Sequence, residues 1–524
     1  MINPARTKMN RRDFIRLTAG VTAASFLPGC QLPSADKKHP NVLFIAVDDL
    51  RPELGCYGNK VIKSPNIDRL AARGITFGEA FCQSGVCNPS RASLLTGRRP
   101  DTIRTWDLQT NFRDNVPDVV TLPQYFKQNG YHAQAIGKIY HNDIPDPKSW
   151  SEPKIYLEDF PFDPDAVYRD DLNVSNLTKR QRKIVKAGKQ DRYIDRFGSW
   201  YMKETATEIV DMPDNVYYDG AQTDRAIQEL SVLKDQEEPF FFAVGYYRPH
   251  LPFNAPKKYW DLYDPNEIPM AENTFVPENA PIMALNTLSE LRGYTDFKNT
   301  PHPADGFVSE QDARHLKHGY YASVSYVDTQ IGRLLNELDR LGLRENTIVV
   351  LWGDHGWKLG EHASWAKMTN FEIDTHAPLI ISSPGMKNKG SRCDSMVEFV
   401  DVYPTLCDLS GLKIPQGLEG ISAVPLMRNP ARPWKSAIFS QFLREGRWKA
   451  PDGREYMGHA IRTDRYRYVE WIDWETKKLA ARELYDHQTD PRENKNLAGL
   501  PENQQRVAEL AGRLKAGWKA ALPN

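Results

Sequence analysis

Val42-Leu43-Phe44-Ile45-Ala46-Val47, followed at once by Asp48-Asp49, is the stretch that decides the fold. Six apolar residues without polar alternation read as a strand buried on both faces, the mark of a sheet covered by helices on each side. From Asn41 onward apolar runs alternate with capped amphipathic segments, which predicts an α/β fold with a large, mostly parallel central sheet sandwiched by helices. Further strands are read at His132 to Ile136, Phe240 to Val244 and Thr347 to Trp352. Ser64-Pro65 opens and Gly74 closes one helix, and Thr121-Leu122-Pro123 opens another that stops at Asn129-Gly130. Val327, Ile331, Leu334, Leu335, Leu338 and Leu341 recur at helical spacing, so that segment lays an apolar stripe on the sheet and is core.

Open α/β sheets bind ligands beyond the carboxyl ends of their strands, and this chain concentrates its chemistry there. Asp48 and Asp49 follow the first strand, and Asp354 and His355 follow another in Gly353-Asp354-His355-Gly356. Lys138 and His141 follow a third, and His250 a fourth. Adjacent carboxylates repel unless a cation or strong donors compensate, so several on one edge suggest a hard divalent metal with oxygen ligands. Taken singly, an Asp-Asp pair is a turn, a lysine a surface charge and a histidine a satisfied polar group. Their conjunction is what points to a site.

Cys87-Asn88-Pro89-Ser90-Arg91-Ala92-Ser93-Leu94-Leu95-Thr96-Gly97 adds a cysteine at a helix start. Pro89 suits a first helical turn, and the free N–H groups and dipole there favour a bound oxyanion. Arg91, one turn on, contributes a planar fork of donors. The alternative for the bare motif is a capped helix with a buried thiol.

Cys-x-Pro-Ser-Arg followed by Leu-Thr-Gly resembles the signature of type I sulfatases, and Gly97-Arg98-Arg99-Pro100-Asp101-Thr102 resembles the iduronate-2-sulfatase branch of that alkaline phosphatase-like superfamily. The resemblance runs from about Asn41 to Asn496. It implies that a separate formylglycine-generating enzyme converts Cys87 to formylglycine, whose hydrated aldehyde is the nucleophile. It further implies one calcium ion, in preference to magnesium, on Asp48, Asp49, Asp354, His355 and residue 87. Lys138 and Lys367 would hold sulfate oxygens with Arg91, His250 or Lys367 would protonate the leaving alcohol, and His141 would orient the hydrate. The implied reaction is a transesterification to an enzyme-bound sulfate ester that collapses back to the aldehyde. The short strand-like segments after about Pro430, Ala437 to Leu443 and Ile461 to Trp471, with turns at Glu483-Leu484-Tyr485-Asp486 and a final helix, resemble the small antiparallel C-terminal subdomain of the family. The expected domains are a catalytic one over 38–430 and this subdomain over 431–524.

With 524 residues and 40% hydrophobic content the chain can bury a large core. Lys+Arg and Asp+Glu balance at 68 each, so no global field points to nucleic acid or a membrane surface. Residues 1–30 carry Asn10-Arg11-Arg12-Asp13-Phe14-Ile15 before a short apolar stretch, Leu17 to Leu27, the pattern read by the twin-arginine export machinery. Export to the periplasm is expected. Leu27-Pro28-Gly29-Cys30 resembles a lipobox, which would make Cys30 a lipid anchor; cleavage nearby to a soluble product is the alternative. No segment has the length of a membrane span. Cys56, Cys82, Cys393 and Cys407 are left open between disulfides and buried small hydrophobes.

The charged stretch Ser151 to Thr207, with Lys179-Arg180-Gln181-Arg182-Lys183, is read as an insertion whose basic run is a solvated face or a steering patch for an acidic polysaccharide. Pro265 to Pro303 reads as rim, and Trp357 as a sugar-stacking or packing aromatic. The expected function is hydrolysis of sulfate esters on sulfated carbohydrate, of glycosaminoglycan or algal type. A phosphomonoester or phosphonate hydrolase of the same superfamily is the alternative, and a non-catalytic polysaccharide-binding lipoprotein a more distant one.

Overall fold

The computed structural model describes residues 39–141, 144–155, 157, 168–186 and 203–523. Its central sheet contains β1 (Asn41–Val47), β2 (Ile75–Phe77), β3 (His132–Gly137), β4 (Phe240–Tyr246), β5 (Thr347–Gly353), β6 (Leu379–Ser382) and β7 (Ser391–Cys393), in the order β7-β2-β6-β5-β1-β4-β3. β1 pairs in parallel with β4 and β5, and β3 in parallel with β4. Only β6 runs against its neighbours, β5 and β2. Val47 lies beside Tyr246 on one side and Gly353 on the other, so the residues that follow these three strands leave the sheet together.

The helices include α1 (Pro65–Arg73), α2 (Cys87–Thr96), α3 (Leu122–Gln128), α4 (Tyr218–Lys234) and α5 (Glu310–Arg340). Strand alternation sorts the core into two layers. Leu43, Ile45 and Val47 join a cluster with Ile67 of α1, Leu230 of α4 and the Val327 to Leu338 stripe of α5. Val42, Phe44 and Ala46 face the other way, against Leu94 and Leu95 of α2 and Phe126 of α3. Thr121 caps α3 with a reciprocal capping box to Gln124, and Gly97 ends α2 at φ 64°, a left-handed position that suits glycine.

Toward the C-terminus, β8 (Ile438–Arg444), β9 (Tyr456–Arg462), β10 (Tyr466–Asp473) and β11 (Leu479–Asp486) form an antiparallel meander, followed by α6 (Gln504–Ala516). Two expectations need correction here. Ile461 to Trp471 is not one segment: Thr463 N–H donates to Tyr466 O at 2.8 Å and turns the chain between β9 and β10. Glu483 to Asp486 is the end of a strand, and the turn follows it. The meander is tied to the larger sheet layer by Gln441 N–H to Gln83 O at 2.9 Å and by the Arg467–Glu372 pair at 2.8 Å.

Within the stretch read as an insertion, Asp171–Lys186 is helical and Thr207–Val210 pairs in parallel with Phe253–Pro256. Lys179 is exposed, while the side chains of Arg180 to Lys183 lie outside the described residues, as do Arg11, Arg12 and Cys30. No described helix is long and apolar enough to cross a membrane. Cys56, Cys82, Cys87, Cys393 and Cys407 are all free thiols.

Candidate active site

Cys87 is the first residue of α2, delivered by extended Val86, and is 2% exposed. Its Sγ lies 3.2 Å from His355 Nε2 and 3.9 Å from Lys138 Nζ. Ser90 Oγ donates to the Asp354 carbonyl and so pins the helix start to the end of β5. Arg91 is completely buried: Nε donates to Asp354 Oδ2 at 2.9 Å and Nη2 to Asp48 Oδ1 at 3.0 Å. Its Nη1 takes the Lys138 and Ile139 carbonyls, so one guanidinium joins the ends of β1, β3 and β5.

Asp49 adopts a left-handed φ of 59°, fixed by its N–H to Asp354 Oδ1 at 3.0 Å and by the Tyr320 hydroxyl on its carbonyl at 3.0 Å. Strained backbone of this kind persists where surrounding structure over-determines it, commonly at functional sites. Lys138 Nζ pairs with Asp48 Oδ2, and Lys367 Nζ with Asp49 Oδ1 at 2.6 Å. His250 Nε2 stands 3.8 Å from Asp49 Oδ2, and His141 faces the same pocket of about 110 Å³ with its Nδ1 unpartnered among the described residues. Every residue expected at the catalytic edge is therefore drawn to one place.

Burial pushes the Cys87 thiol up to about 12 even though Lys138 and Lys367 pull it down. Burial of this kind disfavours the thiolate, the form in which a cysteine attacks. Burial also lifts Asp49 well above the usual carboxylate range despite Lys367, with Asp48 adding to the lift. Asp48 goes the other way, because Lys138 and Arg91 outweigh its burial. Burial and Lys138 hold His141 well below the ordinary imidazole range, and burial and Lys367 lower His250.

The donor set suits a hard cation. Ligand atoms of Asp48, Cys87 and Asp354 lie within 4.8 Å of one another, as do those of Asp49, Cys87 and His355, and Asp49 Oδ2 is buried without a hydrogen-bond partner. Two lysines and one arginine balance the three carboxylates in charge but leave Asp49 Oδ2 without a donor, and a hard cation takes such oxygens as ligands. A second acidic group, Glu372, His487 and Glu493, differs: Arg467 and Arg462 engage its carboxylates at 2.6–2.8 Å, and among the described residues it has no buried carboxylate oxygen without a partner.

Trp357 departs from the sugar-facing expectation. It is wholly buried, with Lys367 Nζ 4.9 Å from its ring centroid and the His250 ring 6.4 Å away, so it packs against these two side chains and is a cation–π partner of Lys367. One important residue had no signal in the sequence. Glu290, in the rim stretch, places Oε1 3.0 Å from His250 Nε2 and 3.5 Å from Lys367 Nζ. Lys203 and Arg447, from the insertion and the β8–β9 connection, also line the pocket.

The family model for sulfatases matches residues 40–412, and the model for the C-terminal part of N-sulphoglucosamine sulphohydrolase matches residues 360–519. Iduronate 2-sulfatase of Homo sapiens is 34% identical over 523 residues, spanning 87% of this chain and 90% of its own. Among solved structures, a protein in complex with its substrate D-glucosamine-2-N,6-O-disulfate superposes with a TM-score of 0.69 at 22% identity, over 92% of this chain and 98% of that one. The phosphonate monoester hydrolase of Silicibacter pomeroyi superposes with a TM-score of 0.68 at 23% identity, over 92% and 96%. These two likenesses show the alkaline phosphatase-like fold. The chain belongs to the sulfatase family and is a sulfuric ester hydrolase.

Proposed function

We propose that this enzyme removes sulfate from sulfated polysaccharides or their oligosaccharides, of uronate-containing glycosaminoglycan or algal type, through a formylglycine made from Cys87. The observation that carries the reading is a buried thiol at a helix start, its Sγ 3.9 Å from Lys138 Nζ, in a pocket that Lys367 also lines. Burial makes such a thiol a poor nucleophile as it stands, and the two lysines suit an anionic ester. Once formed by a maturation enzyme, the hydrated aldehyde supplies the attacking oxygen and a second hydroxyl whose deprotonation expels sulfate.

The rest is work for this chain's own side chains. Asp48, Asp49, Asp354 and His355 would hold calcium beside residue 87, where a divalent cation favours charge on oxygen. Lys138 and Lys367 reach the sulfate oxygens by turning from the carboxylates they now touch, and Arg91 holds those carboxylates in place. His250, with Glu290 behind it at 3.0 Å, is positioned to give a proton to the leaving alcohol, and His141 to orient the hydrate. Human iduronate 2-sulfatase, at 34% identity, supports a carbohydrate sulfate as substrate. The phosphonate hydrolase alternative has fold similarity behind it, at 23% identity.

Residues 1–30 fit twin-arginine export to the periplasm, with Cys30 either acylated or removed, and 38–430 and 431–524 serve as catalytic domain and C-terminal subdomain. The test is inorganic sulfate release from a panel of sulfated glycosaminoglycan and algal oligosaccharides, by protein co-produced with a formylglycine-generating enzyme, against a Cys87→Ala control. Release absent in the control is expected. Faster release of phosphate than of sulfate from matched esters would overturn the reading.

A further inference from the structure

Two stretches of chain meet beside His250, and both are held in backbone that their residues seldom adopt. Lys367 is flanked by Ala366 at φ 71° and Met368 at φ 81°, and Glu290 is reached through Leu288 at φ 54°. A left-handed φ is unfavourable for any residue with a Cβ, and it persists where the surroundings over-determine it. Part of that fixing is local to Lys367. Trp365–Ala366 pairs antiparallel with Lys358–Leu359, and Met368 N–H donates to the Gly85 carbonyl at 3.0 Å, on the segment that enters α2.

The rest comes from one side chain. Asn286, 2% exposed, donates from Nδ2 to the Lys367 carbonyl and accepts the Leu288 N–H on Oδ1. A carbonyl can only accept and a backbone N–H can only donate, so these partners fix which way the amide faces. The bond to Leu288 closes a local turn, whereas the bond to Lys367 spans 81 positions and joins the two stretches. What they carry is a shared contact. Lys367 Nζ lies 3.5 Å from Glu290 Oε1, and His250 Nε2 lies 3.0 Å from the same oxygen. The spacing of these three groups therefore depends on how the 286–290 stretch sits against residue 367.

We propose that Asn286 is a positioning residue for the reaction: it sets the spacing between Lys367 and the Glu290–His250 pair, so that sulfate is held and the leaving oxygen receives its proton in one geometry. Asn286 does not line the pocket and acts through these groups. Their roles are those of the function proposed above. A displacement of about 1 Å in a reacting group can cost on the order of 100-fold in rate, which sets the scale of the effect.

The test uses the full chain carrying the aldehyde at residue 87, with sulfate release measured from heparan sulfate and ulvan disaccharides and from 4-nitrophenyl sulfate. Asn286→Ala is expected to lower kcat roughly ten- to a hundred-fold on a disaccharide with KM changed less than about three-fold, and to lower it less on the aryl ester, whose leaving group needs little proton donation. In a Glu290→Gln background the same substitution should cost at most about three-fold on the disaccharide, because residues that act through one another are not additive. Hydrogen-exchange mass spectrometry should show faster exchange in 286–290 and 366–369 together. Asn286→Asp keeps the acceptor for Leu288 and loses the donor to Lys367, so it should loosen 366–369 alone and lower kcat in the same direction; it carries the test if the alanine variant melts early. Equal losses on both esters, the full loss in the Glu290→Gln background, or unchanged exchange at 366–369 overturns the assignment and leaves the sulfatase reading standing. Sulfate released from the aryl ester and from no carbohydrate overturns the carbohydrate reading, and the exchange pattern then upholds or overturns Asn286 by itself.

Discussion

Replacing Arg91 by methionine removes the group that joins three strand ends while keeping most of its volume. The guanidinium is fully buried and bonded to Asp354 Oδ2 at 2.9 Å and Asp48 Oδ1 at 3.0 Å. In its absence Asp48 keeps Lys138, and Asp354 keeps the Asp49 N–H at 3.0 Å and His355 Nε2 at 3.5 Å. Breaking a buried pair by removing one partner costs about 3–5 kcal/mol, most of it the penalty of the stranded charge. With an unfolding entropy of about 2.1 cal/mol/K per residue, a chain of 524 residues shifts by roughly 1 °C per kcal/mol, so Tm falls by about 3–5 °C. The assay is differential scanning calorimetry at pH 7 and at two scan rates, since a protein of this size can unfold irreversibly. Excess calcium chloride should narrow the gap, because a cation compensates the same carboxylates. Arg91→Lys should fall between, having charge without the fork. A methionine variant that melts within about 1 °C of the parent, with and without calcium, refutes the electrostatic account of the site.

Glu290→Gln should lower kcat at least about ten-fold for a sugar sulfate and less for an aryl sulfate, whose leaving group needs little proton donation; equal losses on both substrates would remove Glu290 from support of the acid. Burial would raise Glu398, but the Arg99 fork and Lys435 hold it down at about 2, below its ordinary 4.5. Its stabilisation, about 3 kcal/mol, is therefore complete above about pH 4.5 and is lost as pH falls toward 2. Urea titrations should show Glu398→Gln less stable at pH 7 and converging with the parent across that window; a constant gap contradicts the pairing. Gly137→Ala should destabilise by more than about 1 kcal/mol and lower activity, because φ is 76° there and a Cβ would strike the Gly245 carbonyl beside Lys138. Unchanged activity would show that Lys138 tolerates a shifted backbone.

The central sheet was legible because its signals are local. Val42 to Val47 has no polar residue to mark a solvent face, and α1 and α3 carry their own start and stop residues. The catalytic edge was legible because strands deliver Asp48, Lys138, His250 and Asp354 within a few residues of their ends, and the Cys87 motif names the family. Glu290 was not legible: Leu288-Ser289-Glu290-Leu291 carries no motif, and only the long-range path of the rim brings it to His250. Trp357 stayed open between stacking and packing because an aromatic two residues after His355 reads the same in either role, and its complete burial favours packing. The β9–β10 turn was missed because Thr463-Asp464-Arg465 lacks the glycine or asparagine that marks most tight hairpins.

The most direct test of the central claim pairs two readings on one set of samples. Protein is produced with graded amounts of the maturation enzyme, the aldehyde fraction at residue 87 is measured by peptide mass spectrometry, and the sulfate-release rate is measured on the same preparations. The account predicts a rate proportional to the aldehyde fraction, passing through zero for the unmodified thiol. A full rate from protein whose residue 87 is entirely cysteine would contradict it.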